Sequence, residues 1–250
     1  MKRPPARKET EHMAWESSGG WQGGQAGSVD DVLVQESQRA FMSRVHGWMF
    51  AGLALTGVMA MVTLANETLL RMAVQNRMAL FLVQLGVVFG LSILAPRLSG
   101  PVAALMFAGY AALTGVTLSV IFLIYTASSI GQVFFITAAT YGAMAVYGTV
   151  TKKDLSSWGT FLFMGLIGIV IAGVVNFFIQ SSAVSFVMAC AGVLVFAGLT
   201  AYDVQKLRDY HAGAGFKSAT AVSIVGALTL YLDFINLFLS LLRLLGNRRD

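Results

Sequence analysis

Charge is what this chain has least of. Asp, Glu, Lys and Arg make up 12% of its 250 residues, and from Leu98 to Tyr202 the only charged side chains are Lys152, Lys153 and Asp154. The 48 residues from Leu155 to Tyr202 carry none. Stretches this apolar cannot be the surface or loops of a fold in water, so they belong in lipid. Cysteine is nearly absent as well: Cys190 is the only one. An internal disulfide and a thiolate metal cluster are therefore excluded, and the apolar neighbourhood of Cys190 suits a small buried filler. Proline occurs four times and never after Pro101. Segments of about ten residues with alternating polarity, the mark of a transmembrane barrel, are missing. No apolar core precedes residue 45, so no cleavable signal peptide is visible behind "MKRPPARKETEH".

What the chain does have is hydrophobic length. Hydrophobic residues make up 56% of it, and the mean hydropathy is +0.72. Seven apolar runs, roughly 45–66, 79–96, 102–126, 130–150, 158–180, 183–203 and 219–243, can each cross about 30 Å of hydrocarbon as a helix. The expected fold is all-α, a polytopic seven-transmembrane-helix bundle over residues 41–250. Residues 1–40 are polar, with the glycine-rich "SSGGWQGGQAG", and read as a disordered cytoplasmic tail. A net charge of +5 and a pI near 9.5 would hint at nucleic acid in a soluble protein. Here the bases sit in short connections, so they read as topology signals and headgroup contacts, with no nucleic-acid partner. Arg97, Lys152, Lys153, Lys206, Arg208 and Lys217 fall in alternate connections, which places the N-terminus inside. Arg243, Arg248 and Arg249 would then lie outside if the last run crosses fully, and a re-entrant last run stays open. In the fifth run, Gly165, Gly168, Ala172 and Asn176 recur at helical spacing and would let a neighbouring helix approach closely.

Two aspartates stand out against this background. Asp203 ends the sixth run, and Asp233 is the only charge in the middle of the seventh, "ATAVSIVGALTLYLDFINLFLSLL". An aspartate at the centre of a membrane helix costs about 2.5–3.5 kcal/mol on insertion scales, and such groups face the bundle interior or a wet path. Ser223, Gly226, Thr229, Asp233, Asn236, Ser240 and Arg243 follow at steps of three or four, one stripe along an otherwise apolar helix. That stripe predicts a central position for the last helix. The ends of the second and sixth runs reach the same boundary, so Arg97 and Asp203 can meet. Asp233, fourteen residues into the last run, would lie about 20 Å deeper if that helix starts at the boundary. If the carboxyls do approach, they can share one proton and titrate as a unit. Deprotonated, they would attract Arg97 or a hard cation such as calcium. The plainer alternative is an Asp–Arg clamp that only fixes helix register. Asp154 in "TKKDL" suits a cap on the next helix.

At these residues the chain resembles the Bax inhibitor family, also called the transmembrane Bax inhibitor motif family, in its bacterial form. The likeness covers roughly residues 40–246. It is carried by "ALTGVTLSVIFLIYT" (112–126), "YGTVTKKDLSSWGTFLFMGLIGIVIAGVVNFF" (147–178), "AYDVQKLR" (201–208) and "LYLDFINLFLSLLRLLG" (230–246). The resemblance implies a last helix wrapped by the other six, in the bacterial inner membrane. It also implies a calcium leak that opens on acidification, gated by an aspartate pair, matched by Asp203 and Asp233, and latched to an arginine, matched by Arg97. Asn236 joins that ion pathway, and calcium is cargo rather than a cofactor. Two features depart from the family pattern: the glycine-containing insert "HAGAGFKSAT" before the last run, and a second run without a carboxylate.

A second reading makes the chain an interaction protein that modulates a membrane-bound quality-control protease. A third, an intramembrane aspartyl protease, is disfavoured: Leu230, Tyr231 and Leu232 stand before Asp233 in place of a Gly-x-Gly, and no proline follows. The chain is expected not to be an enzyme.

Overall fold

A computed structural model describes residues 23–94, 97–209 and 218–249. Nine helices are assigned among them: α1 (Gly23–Ala65), α2 (Glu67–Gln75), α3 (Arg77–Leu94), α4 (Gly100–Leu118), α5 (Ile121–Ile124), α6 (Ala127–Val150), α7 (Ser156–Ile179), α8 (Ser182–Asp209) and α9 (Ala219–Leu245). Seven segments are long and apolar enough to cross a membrane, and they coincide within a few residues with the seven runs. Two overshoot. The first span begins at Ser37, and the sixth continues to Asp209, beyond the apolar run that ended at Asp203. Of the tail expected at 1–40, residues 1–22 lie outside the described residues, and α1 is already helical from Gly23.

The last helix is the central one. In its most apolar stretch 67% of the residues are buried, against at most 33% in any other span. It is not wrapped by all six others, however. Its substantial interfaces are with α1, α4, α6 and α8, whereas α3 leans mainly on α4 and α7 on α8. The outer pair, α3 and α7, bury only 6% of their windows and present side chains such as Phe89 and Phe178 to lipid. Apolar composition alone cannot separate a lipid-facing helix from a buried one, because acyl chains are as apolar as leucine.

The last span crosses fully. After α9 the chain pairs with the α5–α6 junction: Thr126 donates to the Asn247 carbonyl (3.1 Å), Arg249 to the Ile124 carbonyl (2.9 Å), and the Asn247 amide to Ser129 Oγ (2.9 Å). That junction is at the opposite end of the bundle from the 151–155 connection, since α6 runs between them. A re-entrant last segment is thereby ruled out.

Close helix contacts fall where side chains are missing. A Cβ on Gly148 of α6 would stand 2.3 Å from the Ala201 carbonyl oxygen of α8, and one on Gly192 of α8 would stand 2.4 Å from Ser240 Oγ of α9. The stripe expected on α7 plays a smaller part. Gly168 faces open space, and Asn176 is used instead at the α7–α8 turn, accepting from Ser181 N and donating to Ser185 Oγ. Cys190 is half-buried rather than fully enclosed.

Deep in the core, Thr56 Oγ1 donates to the Ala111 carbonyl (2.9 Å), so the Tyr231 hydroxyl must donate to Thr56 (2.7 Å). This ties α1, α4 and α9 together. Tyr231→Phe is expected to lower thermal stability in detergent by the equivalent of about 1 kcal/mol, read as a shifted melting curve.

Candidate functional site

The α8–α9 pair sets the site through its register. Along these antiparallel helices, Gly226 packs on Leu207 and Gly192 on Ser240, which brings Asp203 opposite Asp233. The depth difficulty raised by the sequence disappears because both helices extend past the acids inside the bundle, α9 being buried from Ala221 onward. Its first turn sits beside the start of α4, with Thr220 against Gly100, while α8 carries Asp203 inside by continuing to Asp209. The two carboxyl groups lie within hydrogen-bonding reach of each other. They line one cavity of about 520 Å³ between α7, α8 and α9, room for several waters.

The polar stripe of α9 satisfies itself, with one exception. Ser223 Oγ donates to the Ala219 carbonyl (3.0 Å), Thr229 Oγ1 to Val225 (3.2 Å), Asn236 Nδ2 to Leu232 (2.8 Å) and Ser240 Oγ to Asn236 (2.8 Å). Hydroxyls and amides can return a hydrogen bond to the preceding turn. An ionised carboxylate has no proton to give, and the backbone offers it no free N–H in mid-helix. Asp233 is 5% exposed, and its Oδ2 has no hydrogen-bond partner among the described residues. Buried polar atoms are rarely left so, and what this oxygen lacks is a proton or a cation.

Of the residues singled out from the sequence, Asp203, Asp233 and Asn236 line the same cavity. Arg97 is not with them. It follows α3 on the far side of α4, is exposed, and makes no ion pair among the described residues. The expected Arg97 latch is therefore not formed: α3 packs on α4, and α1, α4 and α9 stand between it and α8. The cation at the cavity is Lys206, one turn beyond Asp203 and acting on it. Its Nζ lies 5.7 Å from the Tyr202 ring centroid, and that ring is seated on Gly159, where a Cβ would come within 2.4 Å of it. The sequence offered a signal for Lys206, its i+3 spacing from Asp203, but the residue also reads as an ordinary topology charge. Tyr141, which donates to Met49 Sδ (3.2 Å) and packs edge-on against Phe234, also lies near both carboxylates. Nothing in its apolar run marked it.

The end of α8 nearest the site is held to the 151–155 connection. Gln205 accepts from Leu155 N (2.9 Å) and donates to the Lys153 carbonyl (2.8 Å), and Arg208 donates to the Thr149 carbonyl. Asp154 accepts from Ser156 N (2.9 Å) in a local turn ahead of α7, but it is not the cap expected of it: Leu155 holds the N-cap position, with no side-chain cap bond. Hydrogen bonds from Ser156 hold its carboxyl below the usual aspartate range. His211 and Lys217 fall outside the described residues.

Comparison with known proteins agrees with this architecture. The chain is 46% identical over 227 residues to the inner membrane protein YbhL of Escherichia coli K12, covering 88% of this chain and 97% of that protein. It is 48% identical over 213 residues to an uncharacterized protein of Deinococcus radiodurans, covering 85% and 92%, and 35% identical over 225 residues to an uncharacterized membrane protein of Streptococcus pyogenes serotype M3, covering 87% and 98%. The family model described as inhibitor of apoptosis-promoting Bax1 matches residues 38–250. With seven membrane-crossing helices, the acidic α9 central among them, and that match over nearly all of the described residues, the chain belongs to the Bax inhibitor family.

Proposed function

We propose that this protein is a proton-regulated cation leak of the bacterial inner membrane, with calcium as its cargo and the Asp203–Asp233 pair as its gate. The observation that carries the reading is the orphaned, fully buried Asp233 Oδ2, with a second carboxyl opposite it in the same cavity. With one proton between them the two acids form a charge-assisted hydrogen bond, roughly twice as strong as a neutral one, and α8 is tied to α9. A second proton leaves a neutral bond, loosens the tie, and opens the path on acidification. Among the described residues no third carboxylate, histidine or cysteine joins the pair. A calcium ion there would meet two carboxyls and neutral oxygens, fewer charges than a retaining site uses, which suits passage. The end bearing Lys152, Lys153, Lys206 and Arg208 faces the cytoplasm in this reading, and with it the N-terminus.

Lys206 supplies the counter-charge given by resemblance to Arg97. The test is flux into liposomes loaded with a calcium-sensitive dye. Lys206→Gln should raise flux at neutral pH severalfold, because the singly protonated pair loses its neighbouring cation, while Arg97→Gln should change it less than twofold. The reverse ranking would return the latch to Arg97.

A further inference from the structure

A second opening lies on the other side of α9. Helices α1 and α4 pack on one flank of α9 and α6 on another, but neither α1 nor α4 makes a substantial interface with α6. The gap is a groove of about 210 Å³ with α9 as its floor. Its walls are almost wholly apolar: Gly57 of α1, Phe122 of α5, Gly131 and Phe134 of α6, and Phe238 of α9, with Thr56 the one polar side chain. That hydroxyl is already committed to Ala111 and Tyr231. The groove therefore offers a ligand no polar anchor along its length, only apolar contact within the membrane.

The anchor is at its end. The α5–α6 link that closes the groove is strapped by residues 247–249 through the Thr126, Asn247 and Arg249 backbone bonds. Arg248 and Arg249 ride on that strap, both exposed and neither in an ion pair among the described residues. Arg243, exposed in the last turn of α9, is at the same end of the bundle. An apolar groove with exposed guanidinium groups at the same end of the bundle, none in an ion pair among the described residues, suits an acyl chain carrying a phosphate at its head. We propose that this groove is a specific site for an anionic phospholipid of the bilayer, one acyl chain lying between α1 and α6 and the phosphate held by Arg248 and Arg249.

Two openings in the glycine lining make the idea testable without disturbing the core, because a Cβ on Gly57 or on Gly131 meets nothing within 4 Å. The full chain would be reconstituted in nanodiscs holding phosphatidylglycerol with a photoreactive diazirine near the middle of one acyl chain, irradiated, digested and mapped by mass spectrometry. Adducts should concentrate on residues 53–61, 118–134 and 234–238. Filling the slot with Gly57→Leu and Gly131→Leu should reduce them at least fivefold. Arg248→Gln with Arg249→Gln, surface changes that leave the groove walls intact, should reduce labelling by the phosphatidylglycerol probe at least threefold while leaving a phosphatidylcholine probe unaffected. Adducts spread evenly over lipid-facing helices such as α7, or groove labelling indifferent to the leucines, would mean annular lipid only and overturn the proposal. Equal labelling by both headgroups with no response to the arginine changes would overturn it too.

Discussion

Asp233→Asn should leave a protein whose calcium flux no longer responds to pH. In the wild type, the step from a charge-assisted to a neutral hydrogen bond between Asp203 and Asp233 is worth about 1–2 kcal/mol. That corresponds to a change of about five- to thirtyfold in the ratio of open to shut bundles, and flux should rise by that factor on acidification. An asparagine in place of Asp233 is nearly isosteric and carries its own N–H donors, so its amide can bond Asp203 whether that acid is ionised or protonated, and no shared proton is needed to hold the tie. Flux in that variant should vary less than about twofold over the same range. Asp203→Asn should behave alike, since either carboxyl is half of one unit. An unaltered pH response in both variants would sink the gate. The variants should also fold well: in Asp233→Asn the amide would relieve an oxygen that is buried without a partner, so the thermal midpoint in detergent should hold or rise.

Gly148→Ala is expected to have the largest effect on stability. The added methyl would be driven to 2.3 Å from the Ala201 carbonyl oxygen, with the Ala201 Cα and carbonyl carbon at 3.0 Å. These are backbone atoms of a helix and cannot rotate away as a side-chain tip would. Separating α6 from α8 should cost about 3 kcal/mol, the upper part of the range for overpacking. Because Ala201 is two residues from Asp203, the same displacement should disturb the carboxyl pair and raise flux at neutral pH. Gly168→Ala on α7 is the control. Its Cβ would meet nothing within 4 Å, and helix propensity favours alanine by about 1 kcal/mol, so its thermal midpoint should stay or increase. Comparable losses in both variants would show that α6 and α8 do not depend on this close approach.

The architecture was legible because lipid imposes few solutions. A helix needs about twenty apolar residues to cross, and each of the seven runs meets that length without any tertiary knowledge. That Asp203 and Asp233 would turn inward was legible for a related reason: an acid in a long apolar run is too costly to face lipid, and both line one cavity. The stripe from Ser223 to Arg243 likewise gave α9 its central place, and its small members are buried as that stripe requires. Arg97 shows where such reasoning stops. Counting runs puts it at the same boundary as Asp203, yet two groups at one depth can stand on opposite sides of a bundle. Run order carries no information on the lateral position of α3. Lys206 lay on the right face but was indistinguishable from any basic residue at a helix end.

The sequence by itself determined the number of crossings, the burial of the last helix and the two acids that interrupt apolar runs, because all three follow from hydropathy and helical period along a single segment. Only the tertiary structure decided that α3 and α7 are flanks, that Lys206 rather than Arg97 stands at the cavity, and that a groove remains between α1 and α6. Those depend on which helix faces touch. In a bundle that choice is made by shape, through glycines such as Gly148 and Gly192 meeting a backbone oxygen or a serine, because the medium outside is as apolar as the interior and gives no preference of its own.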